Sequence, residues 1–86
     1  MLFWGHDSMK RVLLSHIKEK QKVHVVDIDG GSVFVNRMMS LGIYRGREIS
    51  VVSRLALRGP TVVKVGRSTF ALGRSMAAKI MVEVRS

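Results

Sequence analysis

At 86 residues the chain has room for one small hydrophobic core and no second domain. Nearly half of it is hydrophobic (47%), which excludes an intrinsically disordered chain, and the lack of cysteine excludes disulfide frameworks, thiolate metal centres, iron–sulfur clusters and cysteine nucleophiles. Fifteen Lys and Arg stand against six Asp and Glu, a formal charge of +9, and such a balance favours anionic partners: nucleic acid, acidic protein surfaces or lipid headgroups.

Residues 1–9 are expected to form an N-terminal arm, followed by one domain over 10–86. Met1-Leu2-Phe3-Trp4 is too short for a signal-peptide core and is broken by His6-Asp7-Ser8; Met9 as the true start of translation is the alternative. No run approaches the roughly 18 apolar residues that cross a bilayer. Together with the absence of cysteine, this makes the cytoplasm the expected location.

Val12, Leu13, Leu14 and Ile17 have the spacing of one or two helical turns docking on a core. Val23 and Val25 then alternate with polar neighbours in a strand from Lys22 to Ile28, and the change of phase at Val26 and Ile28 predicts a bulge near Val26 or Asp27. Asp29-Gly30-Gly31 signals a turn. Ser32 is placed to cap a helix from about Val33 to Leu41, which Gly42 ends as a left-handed C′ residue. Arg45-Gly46 supplies a second turn into a strand from Glu48 to Leu55, and Arg58-Gly59-Pro60 breaks it. Thr61–Val65 and Ser68–Leu72 are two strands joined by Gly66-Arg67, the signature of a type II′ hairpin. Gly73 and Ser75 open one helical turn, Met76 to Lys79. Ile80, Val82 and Val84 alternate in a closing strand.

These elements predict a mainly β fold: a small SH3-like barrel of about five strands, with one short helix after the first strand and a helical turn before the last. Closing such a barrel would remove exposed strand edges.

The pattern contains little that resembles catalytic chemistry. His6, His16 and His24 fall in three segments without ligand spacing, and Asp27 and Asp29 at a strand end fall short of a calcium loop. Asp29-Gly30-Gly31-Ser32 lacks the lysine and spacing of a P-loop, so turn formation and capping account for it. No nucleophile elbow surrounds any serine. The expectation is therefore no catalytic residue, no metal site and no cofactor. The group that invites a binding role is Met38, Met39, Leu41, Ile43 and Tyr44, flanked by Arg45 and Arg47: adaptable methionines and an aromatic ring beside basic side chains. A basic β-barrel that binds nucleic acid is the competing reading, but Phe3, Trp4, Phe34, Tyr44 and Phe70 form no paired stacking platform, so no specific nucleic acid is expected.

From Leu14 to Val84 the order of motifs resembles the ferrous-iron transport protein A family, FeoA. Leu41-Gly42-Ile43 stands where that family has Met-Gly-Leu, Arg45-Gly46 stands where it has Pro-Gly, and Gly59-Pro60-Thr61 is similar to its Gly-x-Pro-Ile-type loop. Val65-Gly66, Phe70-Ala71-Leu72, Ala77 and Ile80-Met81-Val82-Glu83 complete the likeness. Glu19-Lys20 departs from the family's early Pro-Gly, and Met76 replaces an acidic residue common before Ala77. The resemblance implies a small cytoplasmic SH3-like domain that is not an enzyme. It also implies a partner, the cytoplasmic part of a FeoB-type ferrous iron permease, in a membrane-proximal setting. It leaves self-association into a homo-oligomer open. The C-terminal module of iron-dependent repressors is similar too, but those repressors carry a helix-turn-helix domain for which this chain has no room.

Overall fold

The computed structural model describes residues 9–17, 20–54 and 59–85. In chain order these form β1 (Met9–Leu13), a 3-10 turn (Leu14–His16), β2 (Gln21–Ile28), α1 (Gly31–Ser40), β3 (Glu48–Arg54), β4 (Thr61–Val65), β5 (Ser68–Leu72), α2 (Arg74–Ala77) and β6 (Ile80–Arg85). The six strands make one antiparallel sheet in the order β1-β6-β2-β3-β4-β5. The fold is mainly β and barrel-like, as the alternating sequence indicates. Its ring of backbone hydrogen bonds is not closed among the described residues, because β1 and β5 end the order without pairing. Two edges therefore persist.

Pairing brings the inward residues of each strand into rows. Val12 faces Val82, which faces Val25; Val23 faces Ile49; Val51 faces Val63, which faces Phe70. Val23, Ile49, Val51, Val63, Ile80 and Val82 are fully buried, and each such side chain contributes about 1.5–3 kcal/mol relative to exposure. Thr61 is the one buried polar residue among those described.

Three expectations need correction. The segment from Lys10 is not helical: Met9–Leu13 pairs with β6, Met9 opposite Arg85 and Leu13 opposite Met81. A short apolar run carries too little periodicity to separate strand from helix, and the free edge of β6 decides it. Leu14 and Ile17 do dock on the core, through the 3-10 turn. Second, Ser32 caps nothing. Gly30 is the N-cap residue, with φ 121, so α1 begins at Gly31 and Ser32 lies inside it. Third, the added strand is β1, so the described residues form six strands where the expectation was about five. The expected arm lies outside the described residues apart from Met9, as does Leu55 at the end of the strand expected there.

The predicted bulge is present: pairing with β6 shifts between Val25 and Asp27. A second shift interrupts β3 between Val51 and Ser53. Bulges bend strands and increase twist, which lets a six-strand sheet wrap its two helices around a single core. The Gly66-Arg67 hairpin joins β4 and β5 with Val65 opposite Ser68.

Candidate docking face

Helix α1 has ten residues and one inward stripe. Phe34, Met38 and Leu41, spaced by four and three, pack on the core, with Met38 fully buried; this is the i, i+4, i+7 face of a helix. Its end is a Schellman motif. The Gly42 N–H donates to the Met39 carbonyl (2.9 Å) and the Ile43 N–H to the Met38 carbonyl (2.9 Å), the paired bonds of that cap, which commonly brings an apolar contact of the residues flanking it. Ile43, like Met38, is fully buried. Gly42 adopts φ 88, and a Cβ there would lie 3.0 Å from Val65 Cγ1, so only glycine closes the helix against β4.

The chain then turns at Tyr44-Arg45-Gly46-Arg47. The Arg47 N–H donates to the Tyr44 carbonyl (3.0 Å) and Gly46 has φ 90, the geometry of a type II turn with glycine at its third position. This turn is fastened to the bulged part of β2: the Val25 N–H donates to the Arg47 carbonyl (3.0 Å) and the Gly46 N–H to the Val25 carbonyl (2.8 Å). A Cβ at Gly46 would meet no neighbour, so Gly46→Ala isolates backbone strain. It is expected to lower stability by about 1–2 kcal/mol, the cost of a left-handed L-residue, with no change in the residues lining the groove beside it; thermal unfolding measures it.

That groove lies between α1, the turn and the end of β2. It encloses about 640 Å³ and is lined by Asp27, Ile28, Val35, Met39, Tyr44 and Arg45. Among the described residues the large exposed apolar side chains, Val33 (82%), Met39 (53%) and Tyr44 (39%), all belong to α1 and the turn. Arg45 belongs to the groove's lining, and Arg47 stands behind it against Tyr44. Arg45 Nε donates to the Val26 carbonyl (3.2 Å) and sits 3.9 Å from the Asp27 carboxylate, with both side chains well exposed (76% and 65%); such a pair contributes at most about 1 kcal/mol. Arg47 Nη1 donates to the Tyr44 hydroxyl (3.2 Å), and its guanidinium carbon lies 5.7 Å from the ring centre. The bulge at Val26 thus frees the carbonyl that orients Arg45, and Arg47 orients Tyr44.

The seven residues singled out in the sequence divide here. Met39, Tyr44 and Arg45 come together on the groove; Leu41 and Arg47 are half-buried behind it. Met38 and Ile43 are core residues and present no surface to a partner, because the helical stripe turns Met38 inward and the Schellman cap does the same for Ile43. Ile28 and Val35 line this groove and were missed; exposed Val33 is not among its lining residues. The signal was the helical spacing itself: once 34, 38 and 41 point inward, 35 and 39 share one flank of the helix and 33 falls on the opposite flank.

Elsewhere, His16 and His24 are exposed on separate elements. His24 sits between Glu83 and Glu48 on the neighbouring strands, yet among the described residues no three His, Asp or Glu side chains converge on a metal-binding position. Phe34, Tyr44 and Phe70 lie on α1, the turn and β5, and Phe34 is covered by Lys79 Nζ at 5.0 Å from its ring centre. No helix among the described residues is long and apolar enough to cross a membrane.

A bulged, barrel-like sheet that carries one helix–turn groove defines a small SH3-like domain. The FeoA domain family model matches residues 12–84, and the chain belongs to the FeoA family. A Methanocaldococcus jannaschii protein that carries the name Fe(2+) transport protein A is 37% identical over 70 residues, covering 81% of this chain and 83% of that protein. A Porphyromonas gingivalis fusion of Fe(2+) transport protein A with the Fe(2+) transporter FeoB is 33% identical over 73 residues; the match takes in 85% of this chain but only 9% of the fusion. Among solved structures, the crystal structure of an iron uptake regulatory protein, FeoA, superposes with a TM-score of 0.77 at 32% identity, over 87% of this chain and 99% of that one.

Proposed function

We propose that the protein is a non-enzymatic accessory of ferrous iron uptake that works in the cytoplasm by docking on the cytoplasmic part of a FeoB-type permease. Iron crosses through the permease; this chain contributes a contact, not a step of chemistry. The observation that carries the reading is the meeting of Met39 and Tyr44, two of the large exposed apolar side chains of the described residues, on one groove. Buried aromatic and methionine anchors with a basic rim are what protein interfaces enrich. The Porphyromonas gingivalis fusion, which joins the two kinds of sequence in one polypeptide, supports the choice of partner. Arg45 at the rim would steer approach to an acidic surface and fix its register more than it adds affinity.

The test is co-purification of the full chain with the separately produced cytoplasmic part of the permease, together with ferrous iron uptake in cells lacking this chain. Retention on the permease and slowed uptake are expected. Uptake at the normal rate without the chain, or no association at physiological salt, overturns the proposal.

A further inference from the structure

The outer face of the sheet holds a second surface, distinct from the groove beside α1. Pairing aligns Lys22 on β2 with Ser50 on β3, Ser50 with Lys64 on β4, and Lys64 with Thr69 on β5. Directly paired residues share a face, so two ammonium groups and two hydroxyls form one row across four strands. Strand spacing sets the two lysines about 10 Å apart. Lys22, Lys64 and Thr69 are exposed, and neither lysine has an ion-pair partner among the described residues, whose salt bridges are Arg11–Glu83 and Arg45–Asp27. Lys20 extends the row around a shallow hollow of about 300 Å³ that it shares with Gln21, Lys22, Ser50, Val51 and Val52. At the other end, exposed Arg67 forms the tip of the β4–β5 hairpin.

The surrounding sequence is one-signed. Between Ile49 and Val82 there are six Lys and Arg residues and no Asp or Glu. The acidic residues of this face are displaced by two positions along the strands, in the row Arg11–Glu83–His24–Glu48, where Arg11 already holds Glu83 at 3.6 Å. The outer face is thus divided into a mixed row, in which two glutamates outnumber one arginine, and a row whose only charges are positive.

We infer that the Lys22–Ser50–Lys64–Thr69 strip is a contact surface for anionic lipid headgroups, which seats the domain against the inner face of a bilayer. Three features favour a lipid surface over the other polyanions. The strip carries none of the large exposed apolar side chains of the described residues, all of which lie on α1 and the turn, so it lacks the anchors of a protein interface. It carries no aromatic ring on which bases would stack, as single-stranded nucleic acid needs. Its cations are lysines at regular spacing, strongly hydrated point charges suited to a plane of phosphates rather than to one fixed carboxylate. The inference rests on the permease reading only in that a membrane partner brings the bilayer within reach. Its test contains no permease, so either idea can fail alone.

Binding of the full chain is measured by co-sedimentation with vesicles of phosphatidylglycerol and phosphatidylcholine in equal parts, and with vesicles of phosphatidylcholine alone. Binding is expected only to the anionic vesicles, weakening as salt is raised. Lys22→Gln and Lys64→Gln should each lower the partition coefficient by about fivefold, the effect of one basic side chain at an anionic surface. Arg37→Gln with Lys79→Gln, which removes the same charge from the helix side, should lower it less. Far-ultraviolet circular dichroism verifies that each variant is folded. Equal binding to both vesicle types, an equal loss from the two pairs of substitutions, or tighter binding to a single-stranded RNA than to the anionic vesicles overturns the inference.

Discussion

Met38→Ala is expected to destabilise the protein by about 2–5 kcal/mol, whereas Met39→Ala, its immediate neighbour, should change stability by less than about 0.5 kcal/mol. Met38 is fully buried and Met39 is 53% exposed. Truncating Met38 removes contacts beneath α1 and leaves a cavity that a small barrel fills poorly, since its walls are hydrogen-bonded strands. A domain of this length has only about 0.05–0.15 kcal/mol of net stability per residue, so the loss takes up much of the total. At roughly 4–8 °C per kcal/mol for such a domain, the melting temperature falls by tens of degrees. Met38→Leu, close in volume, should cost less than about 1.5 kcal/mol. Urea unfolding monitored by circular dichroism gives all three values. Similar midpoints for Met38→Ala and Met39→Ala would contradict the assignment of α1's inward stripe.

The pair also marks where sequence reading stops. The alternations Val23/Val25 and Ile80/Val82, the hairpin at Gly66-Arg67 and the bulge near Val26 were legible because a strand's period of two leaves little choice of face once one side is apolar. The strand Met9–Leu13 was not, since whether a short apolar segment pairs or coils depends on whether an edge is free to receive it, and that edge belongs to β6 at the far end of the chain. Ser32 misled for a related reason: two glycines at positive φ, Gly30 and Gly31, started the helix before a side-chain cap was needed. At the candidate site, composition identified the right segment but treated it as one surface. What divides Met38 from Met39 is the helical stripe, and what divides Ile43 from Tyr44 is the Schellman cap, a backbone arrangement that Leu41-Gly42 announces but whose effect on neighbouring side chains appears only when the helix is built. The basic strip was hidden altogether, because its four residues are scattered from position 22 to position 69 and meet only through register.

Met39→Asp combined with Tyr44→Ala should reduce affinity for the permease's cytoplasmic part by about several hundredfold while leaving the fold intact. Interface anchors of this type are worth about 2 kcal/mol or more each, and each 1.4 kcal/mol is tenfold in affinity. Both side chains line the groove and neither belongs to the core, so their replacement removes anchoring area without a cavity. An aspartate on the groove wall adds a cost, since its carboxylate must be desolvated against Val35 and Ile28 when a partner seats. Tyr44→Phe separates two contributions: it keeps the ring but frees Arg47 from the hydroxyl it now holds at 3.2 Å. A fall of only severalfold for Tyr44→Phe would assign the energy to the ring's area, and a fall close to that of Tyr44→Ala would assign it to the orientation imposed by Arg47. Isothermal calorimetry on the purified pair reads both. If the double variant binds as tightly as the unmodified chain with unaltered melting temperature, the helix–turn groove is not where the permease is held, and the exposed edges of β1 and β5 become the surfaces to probe.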